Sequence, residues 1–250
     1  MFKILRFLAF IVLGIIAALL FAWWLFHEEL PEAPSTGAAD ELARSMMTSV
    51  NAQAWDSIPI IQWTFKEQHT FQWDKRQHQC LVRWEQYLVK LDINSATGTA
   101  YENDQLMEGP EASGKIKEAW DYFNNDSFWL NAVVKAFDPG TSRSIVTFKD
   151  GREGLKIHYS SGGSTPGDSY VWILDDNNRP VAWKMWVDIL PVGGMEFSWE
   201  EWITLPGGAQ IATLHKSALI DLDISDVKAV STWSELGYQE NPLKELTKTK

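Results

Sequence analysis

The sequence predicts an α+β fold, mainly β: a large curved antiparallel sheet or unclosed β-barrel with a helical lid, preceded by one N-terminal transmembrane helix. Three observations carry this. Phe7 to Phe26 is an uncharged, overwhelmingly apolar run. Apolar residues recur at every second position through residues 61–93 and again through 144–224, the period of half-buried strands. Between those blocks, Glu111 to Ala136 switches to helical spacing.

The apolar run comes first. At 1.5 Å rise per residue it spans about 30 Å as a helix, the hydrocarbon thickness of a bilayer. Lys3, Arg6 and the terminal amine precede it and Glu28, Glu29 and Glu32 follow, so the positive-inside tendency keeps the N-terminus cytoplasmic and the rest of the chain outside. Trp23 and Trp24 fall where indoles favour the headgroup layer. A cleaved signal peptide has a shorter apolar core and an A-x-A-like site close behind it, and no such site adjoins Phe26. No polar face interrupts the run, as a buried core helix of a soluble domain would require, and no cysteine nearby is placed to carry a lipid. The expected organisation is an anchor over residues 1–26, a linker over 27–39, a β domain over 40–233 and a tail over 234–250.

Pro31, Pro34, Ser35, Thr36 and Gly37 give the linker its spacer composition. Leu42, Met46 and Val50 then recur at helical spacing, which predicts one helix over 40–54, capped by Asp40 or Ser35. Alternation follows in Ile61, Trp63 and Phe65, in Cys80, Val82 and Trp84, and in Tyr87, Val89, Leu91 and Ile93, and Thr97 to Met107 continues this meander. In the helical insert, Ile116, Trp120 and Phe123 share one stripe, and Asp126 or Ser127 caps a second short helix before Asp138-Pro139-Gly140 ends it. Seven strand runs complete the chain, at 144–148, 155–159, 170–174, 181–187, 195–203, 210–214 and 220–224, several separated by hairpin-compatible turns such as Lys149-Asp150-Gly151 and Pro206-Gly207-Gly208.

Composition narrows the function classes. The 22 Lys and Arg stand against 33 Asp and Glu, a net charge of −11, and without Lys3 and Arg6 of the anchor it is −13. Nucleic acid is recognised by neutralising phosphates and anionic headgroups by polybasic patches, and neither surface is present. Cys80, the only cysteine, alternates with Val82 and Trp84 and reads as a small buried hydrophobe rather than a nucleophile. His69, His78, His158 and His215 are scattered without metal-ligand spacing, so no metal or other cofactor is expected. The stretch from Ser160 to Asp168 is rich in glycine and hydroxyls but lacks the lysine and following helix of a phosphate loop, and reads as a structured hairpin. Glu196 and Glu200 share parity on their strand and read as a solvated face. No G-x-S-x-G elbow occurs, so no catalytic residue is assigned. A hydrolase using the 160–168 loop with His158 or His215 is the last-ranked class and requires a base within reach of a hydroxyl in a pocket.

The fourteen tryptophans are the unusual feature. Trp63, Trp84, Trp183 and Trp199 take the apolar parity of their strands, and Trp120 and Trp129 the apolar stripes of the insert. Rings from sheet and insert should therefore converge, either as solid core or as the lining of an apolar cavity for an acyl chain. The cavity reading takes Trp63, Phe65, Trp84, Trp120, Phe123, Trp129, Trp172, Trp183 and Trp199 as its wall. Trp186 lies on the opposite face, between Lys184 and Asp188, as a candidate external contact.

Phe128-Trp129-Leu130 with Asp138-Pro139-Gly140, Gly162 to Asp168 with Arg179 to Lys184, and Pro191-Val192-Gly193-Gly194 resemble a group of bacterial envelope proteins associated with the outer-membrane lipoprotein-sorting superfamily, the LolA/LolB-like fold. These matches cover about residues 120–216. The resemblance implies an unclosed barrel with a helical lid over an apolar cavity, in a Gram-negative periplasm. The chain departs from the carriers of that superfamily in having an anchor in place of a cleaved signal and in lacking a lipid-bearing cysteine, which argues against a free shuttle. The resulting expectation is a non-enzymatic periplasmic protein tethered to the inner membrane through residues 7–26, binding a lipid or an acylated protein. Its alternative is a scaffold subunit of an envelope complex, with a protein partner and a solid core.

Overall fold

The computed structural model describes residues 6, 10, 11, 13, 14, 21, 23, 26–162, 166–244 and 246. Of the expected span, Phe10, Ile11, Leu13, Gly14, Phe21, Trp23 and Phe26 are described and helical, and the rest lies outside the described residues. Among the described residues no helix is long and apolar enough to cross a membrane.

Two helices open the folded part, α1 (Gly37–Ser49) and α2 (Ala52–Asp56). Thr36 caps α1 by accepting from the Ala39 amide, and Ala39, Ala43 and Met46 form its buried stripe. The single helix predicted over 40–54 is broken because Asn51 takes a left-handed conformation, φ 52°. A meander follows: β1 (Ile60–Phe65), β2 (His69–Asp74), β3 (Gln79–Trp84), β4 (Tyr87–Asp92), β5 (Thr97–Glu102) and β6 (Gln105–Leu106). Strand β2 is absent from the sequence prediction, although Phe71 and Trp73 alternate within it.

Helix α3 (Gly109–Asn131) is continuous through Asp126 and Ser127 and passes directly into a 3-10 turn at Ala132–Lys135. The two-helix prediction fails there for a tertiary reason. Asp126 is buried in mid-helix, and its carboxylate is bonded to His69 Nδ1 at 2.7 Å instead of to its own backbone.

Eight strands complete the fold: β7 (Thr141–Thr147), β8 (Glu153–Tyr159), β9 (Ser169–Leu174), β10 (Pro180–Trp186), β11 (Met195–Ser198), β12 (Glu200–Thr204), β13 (Gln210–Lys216) and β14 (Asp221–Val230). They build two sheets, not one, and neither closes into a barrel. Nine strands run β12-β13-β14-β1-β2-β3-β4-β5-β6 and five run β11-β10-β9-β8-β7, with every recorded pairing antiparallel. The run predicted as one strand over 195–203 divides at Trp199. Its amide bonds to Val181 O at 2.8 Å, and the chain then leaves the five-stranded sheet for the nine-stranded one. This corner joins the sheets, while β14 pairs with both β13 and β1 and so closes the meander onto the C-terminal half.

Helix α3 lies over the inner faces, against β4 and β5 at one end and β13 at the other. The outer face of the nine-stranded sheet is covered by the segment predicted as a tail. Trp233 and Leu243 bury Ile60 and Leu81, and Tyr238 Oη donates to Gln72 Oε1 at 2.6 Å.

Candidate functional site

Alternation in the strands points Trp63, Phe65, Trp84, Trp172 and Trp183 inward, and the stripe of α3 points Phe123 and Trp129 back at them. All nine predicted lining residues belong to one apolar cluster, with Trp120 only half-buried at its margin. They meet in two groups along α3. Toward the N-terminal end, Phe123 packs edge-on against Trp73 (5.2 Å between ring centres) and 6.3 Å from Trp63, while Tyr122 lies edge-on to Trp84. Trp120 Nε1 donates to Ile93 O at 3.2 Å. Toward the C-terminal end, Trp129 meets Trp183 and Phe197, each at 4.9 Å, and Trp183 touches Trp172 (4.9 Å) and Trp199 (5.1 Å).

These rings interlock. A void of about 10 Å³ lies between α3, Trp55, Trp199 and Trp202, room for about one water and far short of an acyl chain. Asn131 and Trp199 line it, and Asn131 Oδ1 and Trp199 Nε1 are buried without a protein partner. The indole N–H groups of Trp63, Trp172 and Trp183 are likewise buried and unpartnered. In the state described here, the predicted wall is a filled seam between lid and sheets.

Two polar groups are built into this seam. His69 bonds Asp126 Oδ2 and stacks on Tyr122 at 3.9 Å, fastening α3 to β2. Burial pushes the Asp126 carboxyl up, although His69 and Asn125 donate to it and pull it down. His215 is fully enclosed, 4.4 Å from the Trp199 ring, with Nδ1 3.1 Å from Ser198 O. Burial pushes its imidazole down to about 4, against the opposing pull of the Ser198 and Trp129 carbonyls, so it is neutral at pH 7.

The outer face of the five-stranded sheet carries a site that sequence reasoning missed. The expected spacer is a strap docked across it. Lys184 Nζ donates to both carboxylate oxygens of Glu28 (2.6 and 2.8 Å), and Lys156 Nζ donates to Glu32 (2.9 Å) and Pro31 O (3.1 Å). Both lysines are buried on this face. Leu30 and Ala33 pack against Val146, Phe148 and Val171. Trp186, expected as an external contact, instead donates through Nε1 to Glu28 O at 2.7 Å, so its partner is the chain's own strap. The signal was present in the sequence as two lysines on a strand face with acids upstream, but the pairing spans 124 and 156 residues.

The remaining candidates do not converge. His158 Nδ1 lies 3.0 Å from Ser169 Oγ, a base beside a hydroxyl, but Ser169 is 1% exposed. Gly163, Ser164 and Thr165 of the 160–168 loop lie outside the described residues. Asp168 Oδ1 accepts from the Asp188 amide and ties that loop to the one after β10. Glu196 faces Arg152 at 3.5 Å and Glu200 faces Lys216 at 3.0 Å, as solvated ion pairs. Cys80 is buried and its thiol is pushed up by burial. Among the described residues no group of three or more His, Cys, Asp or Glu is placed to share a metal ion.

No protein-family model and no curated protein matches the chain in sequence. In fold it is similar to a DUF1329 family protein from Desulfovibrio piger, 12% identical over 80% of this chain and 97% of that one, with a TM-score of 0.42. It is similar also to a domain from Vibrio parahaemolyticus named for outer membrane lipoprotein sorting, 11% identical over 82% of this chain and 98% of that one, with a TM-score of 0.40. Likeness at this level is one of broad architecture and assigns neither an activity nor a ligand to this chain.

Proposed function

We propose that this chain is a non-enzymatic module of the bacterial cell envelope, tethered to the inner membrane by residues 7–26, that acts through its outer surfaces in the periplasm on a protein partner. The observation that carries this reading is the filled aromatic seam, whose void of about 10 Å³ leaves no chamber for a lipid. The tether and its orientation rest on the apolar run and the charges flanking it. Native mass spectrometry of the full chain released from detergent is expected to give the bare protein mass. Repeated recovery of one amphiphile in stoichiometric amount would overturn the solid-core reading.

A second reading has a specific observation in its favour. The indole N–H groups of Trp63, Trp73, Trp172, Trp183 and Trp199 and Asn131 Oδ1 are buried in the seam without partners. Each unmet polar atom costs about 1–3 kcal/mol, which offsets part of the packing energy and lowers the work of lifting α3. In that reading the lid opens for one acyl chain of a lipid or acylated protein, and Trp63, Phe65, Trp84, Trp120, Phe123, Trp129, Trp172, Trp183 and Trp199 become the wall of the space it enters. Burial of the chain would contribute about 0.8 kcal/mol per CH₂.

A further inference from the structure

The strap leaves almost no slack between the N-terminal segment and one loop of the domain. His27 donates its amide to Trp23 O at 2.8 Å and stacks its ring on the Trp23 indole at 4.5 Å, so it is tied to the helical residues just before it. The same His27 accepts the Gly193 amide at Nδ1, 3.0 Å away, and the Glu28 amide donates to Gly193 O at 2.9 Å. Lys184 and Trp186 then hold Glu28 from the sheet below. The approach is close enough to require glycine. A Cβ on Gly193 would fall 2.3 Å from Trp186 Cδ1, and one on Gly194, at φ 85°, would fall 2.6 Å from Glu28 Cβ.

Gly193 and Gly194 end the loop that joins β10 to β11, which reads Val187-Asp-Ile-Leu-Pro-Val-Gly-Gly194. Ile189 is 67% exposed at its tip, beside exposed Pro191, while Val192 is half-buried. In the helix before His27, Phe21 is 61%, Trp23 45% and Phe26 65% exposed. Residues 27 and 28 are thus hydrogen-bonded to the base of a loop with an apolar tip, one and two residues beyond the end of the predicted span.

We propose that the 187–194 loop is a second membrane contact, seated in the lipid–water interface through Ile189 and Pro191 and held there by the Glu28–Lys184 strap. The proposal rests on the tether reading, since it takes its depth from a span ending at Phe26. The partner is a phospholipid bilayer and the contact is apolar. The strap's Glu28 is already neutralised by Lys184, Asp188 is the loop's own charge, and the loop carries no basic residue for anionic headgroups. Two attachments would fix the orientation of the domain, with the β7–β8 and β9–β10 turns at the far ends of these strands directed away from the bilayer.

The test uses the full chain in vesicles of phosphatidylethanolamine and phosphatidylglycerol, with an environment-sensitive NBD label at Ile189→Cys or, at the far end, Asp176→Cys. Cys80 is fully buried and serves, in the parent chain, as the unlabelled control. The label at 189 is expected to emit to the blue of the label at 176 and to be quenched severalfold more strongly by headgroup-proximal nitroxide lipid, without loss in 0.5 M salt as an apolar contact on the order of a few side chains requires. Pro191→Cys repeats the measurement if Ile189→Cys does not fold. Equal emission at both ends, with equal quenching by aqueous iodide, in a chain that survives a carbonate wash would overturn the loop contact and leave the tether standing. Release of the chain by that wash would overturn the tether, and the loop proposal with it.

Discussion

Enclosed between the Trp199 and Trp129 rings, His215 is a titratable group whose burial couples this fold to pH. Its folded value of about 4 lies below the ordinary 6.5. As pH falls through 6.5 the unfolded chain takes up a proton that the folded chain refuses until about 4, so folding stability decreases across that window. That difference corresponds to about 3 kcal/mol at the acid end. Urea denaturation at pH 7, 5.5 and 4 should show this loss in the parent and a flatter profile in His215→Phe, and identical slopes would refute the assignment. The parity that directs His215 inward was legible, since it alternates with Ile211 on β13, but its neighbours were not. Trp186 makes the same point. Its position on the outer face of β10 was readable, whereas its partner, Glu28 O, is 158 residues away and was not.

At the scale of elements, α3 is held to β2 by the bond between His69 and Asp126, the residue whose capping propensity made the sequence predict a break. Local preference lost because a buried carboxylate that accepts from His69 and Asn125 is satisfied where it stands in mid-helix. Asp126→Ala strands His69 and is expected to lower stability by about 1–3 kcal/mol. The cycle with His69→Ala should then show a coupling of at least about 1 kcal/mol, and strict additivity of the two losses would show that the contact does not fasten the lid. The strap reverses the composition argument in a similar way. Pro31, Pro34 and Ser35 read as a spacer, yet buried Lys156 and Lys184 bind its acids and the apolar face between them takes Leu30 and Ala33. The strap thus links the segment after Phe26 to the packing of the five-stranded sheet.

For the whole molecule, the two sheets share one core because the chain crosses between them at Trp199 and because β14 returns to pair with β1. The outer face of the larger sheet depends on the C-terminal segment in the same way. Leu243 is fully buried against Ile60 and Leu81, so Leu243→Ala is expected to lower the unfolding free energy by about 2 kcal/mol or more, measured by urea denaturation at pH 7, whereas a true tail would lose nothing. The sequence by itself determined the β-rich class, most strands, the inward parity of the aromatic residues, the burial of Cys80 and the central helix, because hydrophobic periodicity and turn residues act locally. Only the tertiary structure decided that the strands form two sheets, that the indoles fill their own enclosure, and that linker and tail are packed parts of the domain. Each of those depends on contacts between residues far apart in the chain, whose pairing no local spacing records.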